Sequence, residues 1–362
     1  MSFFPVVYPQ SYFGLVPNGF FGSWGGECTG TFKKQTLNSQ VIDQNDYFGH
    51  GVVLSGNKLF IGASRYPGTS LTFFDMGAVE RYTRPTADDA FVFDALLYNN
   101  TENHASAYSR GLAYDPTTGT LMGGSPDLSP GKVSVFTDDG DTFDEDITPG
   151  GLIVTPGARF GEEIDVIGVH ALIGATQADG GLGVVEYWEN VAGTWTFRQE
   201  FQSAQTGGVQ AFGGGIAMTD NATAYISRIG DAVGANTTSN FSVEKWTRTG
   251  AVWSLDSQWV YSETSIGGGS GALVKISVSG SKIACGRYIN DDGANNAGKV
   301  VILALSTGAF IEEIVHAGED DNFGWGVSLD GDEFVAGLHF FDHGAETNAG
   351  QAQLWDFCSG AP

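Results

Sequence analysis

Two histidines four residues apart with a carboxylate between them, His339-Phe-Phe-Asp-His343, form the most metal-like spacing in the chain. On a helix that spacing would turn two imidazoles toward one zinc ion. Here it follows a short apolar run and is followed by Gly344, so it reads as a loop, where the spacing aligns nothing. The densest acidic stretch is Asp138-Asp-Gly-Asp141 with Asp144 and Asp146. A calcium ion takes roughly six to eight oxygen ligands, and these carboxylates lack the spacing of a matched set. A solvated hairpin loop is the expectation; calcium there is the one cofactor reading, and otherwise no cofactor or metal is expected. Asn290-Asp-Asp-Gly-Ala-Asn-Asn296 and Glu319-Asp-Asp-Asn322 have the composition of left-handed and Asx turns. Nucleophilic chemistry lacks its parts: there is no Gly-x-Ser-x-Gly elbow and no Cys–His combination that reads as nucleophile and base. With 42 Asp plus Glu, no pair of carboxylates can be singled out as acid and base.

The formal charge of −25, with only 17 Lys plus Arg, argues against nucleic acid, whose binders displace counterions with cationic side chains. It disfavours anionic membrane surfaces for the same reason. No apolar run approaches the roughly 18 residues of a membrane span. The N-terminus has no basic segment, and Pro5 and Pro9 interrupt its apolar stretch, so it does not read as a secretory signal. A 41% hydrophobic content with sparse charge excludes disorder, and 53 glycines without a three-residue period exclude collagen.

The elements that would hold any site are organised by an internal repeat. Phe48-Gly-His-Gly-Val-Val-Leu leads through a turn to Leu59-Phe-Ile-Gly-Ala-Ser64. Phe160-Gly-Glu-Glu-Ile-Asp-Val leads likewise to Ala171-Leu-Ile-Gly-Ala-Thr176, Phe212-Gly to Ala224-Tyr-Ile-Ser227, and Phe323-Gly-Trp-Gly-Val-Ser-Leu to Phe334-Val-Ala-Gly337. Two copies are more worn: Tyr108-Ser-Arg-Gly-Leu-Ala-Tyr with Leu121-Met-Gly-Gly124, and Gly271-Ala-Leu-Val-Lys-Ile-Ser-Val with Ile283-Ala-Cys-Gly286. A third strand follows in each copy, as in Gly77-Ala-Val-Glu-Arg-Tyr82 or Gly183-Val-Val-Glu-Tyr-Trp188. A fourth follows in five copies, over 91–98, 143–147, 195–201, 253–261 and 309–315. Five steps from Phe48 to Phe323 give 55 residues per copy, the length of a four-stranded propeller blade.

The fold expected is therefore all-β: a six-bladed β-propeller of four-stranded blades over 28–362, with blades starting near 46, 106, 158, 210, 270 and 321. The last copy lacks a fourth strand, and the spare segment Thr31-Phe-Lys-Lys-Gln-Thr-Leu-Asn-Ser-Gln40, within 28–45, would supply it and close the ring. Cys28 and Cys358 would then sit side by side at the closure, within reach of a disulfide, while Cys285 reads as a buried apolar residue.

The Phe-Gly opening, the Gly-Ala end of strand two and the Gly-x-Val-x-x-aromatic third strand resemble the FG-GAP repeat of the integrin α-chain propeller and of many bacterial and viral surface proteins. The resemblance covers about residues 31–357. It implies a ligand-binding or adhesion module. Family members often carry calcium in the turn between strands one and two, but the turns here, such as Ser55-Gly-Asn-Lys and Ser279-Gly-Ser-Lys, lack that acidic pattern, and Asp330-Gly-Asp-Glu is only partly acidic. Gly193-Thr-Trp195 resembles a fragment of the sialidase Asp-box, yet Trp188 and Asn190 stand at its Ser and Asp positions, so it reads as a turn entering an outer strand.

Loops joining strands two to three and four to one emerge on one face of a propeller, and function concentrates on such loops. The contact surface expected there comprises Arg65, Tyr66, Phe73, Phe74, Arg228, Arg287, Tyr288, His339, Phe340, Phe341 and His343. Residues 1–27 form an aromatic, Gly- and Pro-broken arm, with Phe3, Phe4, Tyr8, Tyr12, Phe13, Phe20, Phe21 and Trp24 as anchoring candidates. Together these point to a non-enzymatic structural or adhesion module of a virus particle, such as a phage tail or capsid appendage. The arm would hold other virion proteins and the loop face a receptor protein or glycan. A secreted or cell-surface bacterial adhesin is the alternative, and a polysaccharide-acting enzyme a more distant one.

Overall fold

The computed structural model describes residues 30–40, 46–65, 77–97, 109–151, 156–204, 210–229, 240–262, 274–290 and 294–358. Its strands form six sheets of four antiparallel strands. Blade 1 holds β2 (Phe48–Ser55), β3 (Lys58–Ala63), β4 (Ala78–Thr83) and β5 (Val92–Leu97). Blade 2 holds β6 (Leu112–Asp115), β7 (Thr120–Ser125), β8 (Lys132–Thr137) and β9 (Thr142–Ile147). Blade 3 holds β10 (Phe160–Ile167), β11 (His170–Ala175), β12 (Val184–Val191) and β13 (Thr194–Phe201). Blade 4 holds β14 (Ile216–Asp220), β15 (Thr223–Ile229), β16 (Asn240–Thr249) and β17 (Val252–Ser262). Blade 5 holds β18 (Lys275–Ser279), β19 (Lys282–Arg287), β20 (Lys299–Ala304) and β21 (Phe310–Val315). Blade 6 takes β22 (Val327–Asp330), β23 (Glu333–Leu338) and β24 (Gln351–Cys358), and is completed by β1 (Gly30–Leu37) as its outer strand.

The six-bladed ring and its closure by the N-terminal strand are as the repeat predicts. The register runs antiparallel from Gly30 opposite Cys358 to Leu37 opposite Ala352. Cys28 and the arm residues 1–27 lie outside the described residues, so the expected disulfide and anchor do too. Cys285 is fully buried in β19, and burial pushes its thiol pKa up, consistent with an inert core residue.

The three glycines of the repeat have one shared purpose, which is to let neighbouring blades touch backbone to backbone. The Phe-Gly glycine has positive φ in four blades (Gly49 91°, Gly161 88°, Gly213 85°, Gly324 87°) and lies against the strand-two glycine of the preceding blade. A Cβ on Gly337 would stand 1.8 Å from the Gly49 carbonyl oxygen, and one on Gly124 1.9 Å from that of Gly161. The preceding Phe is fully buried in all four. Its amide donates across the seam: Phe48 to Ala349 O (3.1 Å), Phe160 to Pro130 O (3.1 Å), Phe212 to Leu182 O (3.0 Å) and Phe323 to Ala297 O (2.9 Å). The third-strand glycine follows that acceptor and meets the same Phe, closely enough that a Cβ on Gly350 would stand 2.1 Å from Phe48 O.

Side chains fill the six seams with six apolar clusters, each shared by two adjacent blades. Burying this apolar surface at every seam is the main force closing the ring. In every blade the third and fourth strands shift register at or beside one position, Tyr82, Phe136, Trp188, Trp246 and Leu303 in blades 1 to 5 and Lys33–Gln35 in blade 6. Such bulges add local twist to an outer strand. A buried third-strand Glu then holds the loop leaving the preceding blade. Glu80 accepts from Ser39 Oγ (2.5 Å) and the Gln40 amide (3.0 Å), Glu186 from the Gly150 and Gly151 amides (3.1 and 2.9 Å), and Glu244 from Ser203 Oγ (2.5 Å).

Candidate functional site at the loop face and channel

The first strands of all six blades line a central channel, whose larger cavity measures about 210 Å³. Its wall is stitched from blade to blade. Asp165 accepts from the Met218 amide (2.5 Å), Ser277 Oγ from Leu329 (2.9 Å), Ser328 Oγ from Leu54 (2.9 Å) and Asp115 from Gly168 (2.9 Å). Inner-strand N–H groups that face a neighbouring blade are thereby satisfied, as buried donors require.

Toward the loop face, two positions after Phe-Gly decide the chemistry. The first carries His50, Arg110, Glu162, Gly214, Val274 and Trp325 in blades 1 to 6, so five blades offer five different side chains there and blade 4 offers none. The next is Gly51, Gly111, Gly215 and Gly326 in four blades, but Glu163 in blade 3 and Lys275 in blade 5. These two meet past blade 4, with Lys275 Nζ 2.5 Å from Glu163 Oε2 and 2.8 Å from the Glu162 carbonyl. Although Glu163 borders a lumen, protein encloses it; burial raises its pKa to about 7 even against the attraction of Lys275. Glu163 also lines a smaller cavity of about 10 Å³ on the loop-face side, beside His50, Arg110 and Lys275.

Above that cavity sits an aromatic cap at the seam between blades 6 and 1. His50 stacks on His339 at 4.8 Å, Trp325 packs on His339 at 4.3 Å, and Tyr288 on Trp325 at 3.9 Å. Tyr47 meets His339 edge-on at 5.7 Å and Phe340 at 5.2 Å. Burial first, then Arg110, lowers the pKa of both histidines well below the usual range, so both are neutral. His50 Nδ1 lies 2.6 Å from Ser64 Oγ. Ser64 is 1% exposed, so this Ser–His contact has no path to a substrate and serves to orient the ring.

The expected contact residues divide by depth. Arg65 is exposed, with its guanidinium 4.4 Å over the Tyr47 ring, a cation–π stack on the loop face. Tyr288, Phe340, Phe341 and His343 are half-buried, Phe341 against the core of blades 5 and 6. Arg228, Arg287 and His339 are buried and offer no contact area in this state. Arg228 pairs with Glu244 at 3.3 Å, and Arg287 lies 5.6 Å over Phe241. Tyr66, Phe73 and Phe74 lie outside the described residues. His343 exchanges backbone hydrogen bonds with Glu346 in a tight loop, whereas His339 is buried.

The acidic loops are engaged within the fold. Asp139 pairs with Lys58 (2.5 Å) and accepts from Tyr114 Oη (2.5 Å), Asp141 pairs with Arg81 (3.1 Å), and Asp146 with Lys132 (3.3 Å) and Ser134 Oγ (2.6 Å). Lys58 and Arg81 belong to blade 1, so the loop of blade 2 is tied across a seam. Asn296 Nδ2 donates to Asp320 (2.8 Å), joining the other two Asn/Asp loops. Among the described residues no group of three His, Cys, Asp or Glu side chains is placed to hold a metal ion. Gly193, at φ 91°, opens the turn into β13, as its Gly-x-Trp element suggested. No helix among the described residues is long and apolar enough to cross a membrane.

His50, Arg110, Glu163, Lys275 and Trp325 were missed by sequence reasoning. Their signal was available, since they occupy the two positions after Phe-Gly where otherwise similar copies diverge.

No family model and no curated protein matches the sequence. Solved structures do resemble it. A luciferin-regenerating enzyme is 10% identical, with a TM-score of 0.50 over 89% of this chain and 95% of that one. A functionally unknown protein from Desulfotomaculum acetoxidans is 13% identical, with a TM-score of 0.49 over 83% and 86%. The WD40 propeller domain of Doa1 is 10% identical, with a TM-score of 0.47 over 91% and 98%. At these identities the likeness concerns fold alone, and the fold is a β-propeller.

Proposed function

We propose that this chain is a divergent FG-GAP-type propeller acting as a non-enzymatic structural and adhesion module. In this reading it is an appendage or tail or capsid component of a virus particle, and its loop face contacts a receptor or another virion protein. One observation carries the proposal: the loop face displays an exposed arginine stacked on an aromatic cap at the seam between blades 6 and 1. Arg65 over Tyr47, with Phe340 at its edge, combines a cationic tip with rigid apolar area, which is the make-up of interface anchors. The meeting of three glycines at four of the six seams gives the FG-GAP pattern a physical basis in this chain, and that supports the family reading.

Two measurements test it together. Mass spectrometry of purified virus particles should detect the chain. Soluble wild-type protein should bind host-cell surfaces, and Arg65→Glu with Phe340→Ala should weaken that binding about tenfold or more, as loss of an interface anchor does, with an unchanged melting temperature. Absence from particles, or a double variant that binds as wild type does, defeats the reading.

A further inference from the structure

The small cavity under the loop-face mouth is ringed by hydrogen-bond donors that the protein leaves unused. His50 is 2% exposed and its Nε2 has no partner. In the tautomer in which Ser64 donates to Nδ1, the neutral ring carries its proton on Nε2 and presents a donor there. Arg110 reaches Asp127 (3.3 Å) and Glu162 (3.7 Å) through its terminal nitrogens, while its Nε is buried without a partner. Lys275 has two acceptors, Glu162 O and Glu163 Oε2, for three ammonium hydrogens. All three residues line the same cavity of about 10 Å³. That volume admits roughly one water-sized particle.

We propose that this cavity is an anion site that takes one monatomic anion of the halide class, held by His50 Nε2, Arg110 Nε and the third hydrogen of Lys275. Water matches the wall poorly. It accepts about two hydrogen bonds and needs acceptors for two of its own, whereas the lining supplies three donors and a single carboxylate, Glu163. A halide accepts from all three donors at once. Glu163 is the fixed competitor, because its carboxylate and the anion share Lys275.

The test compares thermal unfolding of the purified full chain in sodium chloride and in sodium gluconate at equal ionic strength. Chloride alone should raise the melting temperature, and the rise should saturate. Glu163→Gln, which removes the competing charge, should reach half-effect at about tenfold lower chloride. Crystals grown in bromide provide a second measurement that needs no variant: an anomalous peak belongs inside the cavity. Coincident chloride and gluconate curves in both wild type and Glu163→Gln, or a bromide-free cavity holding only water, overturn the proposal.

Discussion

Asp165 offers a prediction whose sign and size both follow from the channel wall. Its carboxylate accepts the amides of Met218 (2.5 Å) and Val166 (2.8 Å), joining blades 3 and 4. Burial raises its pKa from the ordinary 3.8 to about 7 in spite of those two bonds, and repulsion from Asp115 adds to the rise. A carboxyl whose folded pKa is raised contributes stability that is fully present below the unfolded pKa and lost as pH climbs through the folded one. The shift corresponds to at most about 4 kcal/mol, and to less where channel water screens the charge. Asp165→Asn keeps an acceptor oxygen and does not ionise. The unfolding free energy of wild type minus that of the variant should therefore fall by up to about 1.4 kcal/mol per pH unit between about pH 4 and pH 7, and level off outside that window. His50 and His339 act with the opposite sign. Their pKa values are depressed, so their contribution is present above the ordinary 6.5 and lost as pH falls below it. Because both proteins carry both histidines, that contribution cancels in the difference. Denaturant titrations of the two proteins at several pH values from about 4 to 8.5 measure it. Parallel stability profiles would refute the placement of a raised carboxyl in the seam.

Two further outcomes test the glycine seams. Ser109 takes the Phe-Gly glycine position of blade 2 at φ 93°, with its hydroxyl unpartnered; Ser109→Gly should stabilise by about 1 kcal/mol, read as a higher melting temperature, and a lower one contradicts the strain argument. Gly337→Ala forces a Cβ to 1.8 Å from the Gly49 carbonyl, a backbone atom with nowhere to go; it should cost about 3 kcal/mol or more. Gly344→Ala, at φ 68° in open space, should cost only about 1 kcal/mol. Equal denaturation midpoints for the two alanine variants would show that blade contact does not set the cost.

The blades were legible because their determinants are local and repeated. Short apolar runs such as Val52–Leu54 or Phe334–Ala336 mark buried strands, turns such as Ser55-Gly56-Asn57 fix hairpins, and a copy every 55 residues or so multiplies a weak signal six times. Ring closure was legible for a different reason: one blade lacked a strand and one strand lacked a blade. Depth along the loop face was not legible. Arg228, Arg287 and His339 have the residue types of a contact surface, but each sits directly at the end of a second strand, where the seam buries it. In blade 1 Arg65 stands further along, two residues past the end of β3, and is exposed.

The same comparison explains why the channel was overlooked. Within a repeat, attention goes to what recurs, and what recurs here is the packing: Phe, Gly, Gly-Ala and the third-strand aromatic. A propeller can vary only where side chains leave the seams, and the inner strand offers two such positions just after Phe-Gly. His50, Arg110, Glu162 and Trp325 at the first, and Glu163 and Lys275 at the second, are the residues that break the pattern. A charged pair such as Glu163–Lys275 gains little net stability from burial, since desolvation offsets attraction. Its presence at the one place where glycine would pack without cost is the reason to look for chemistry at the mouth of the channel.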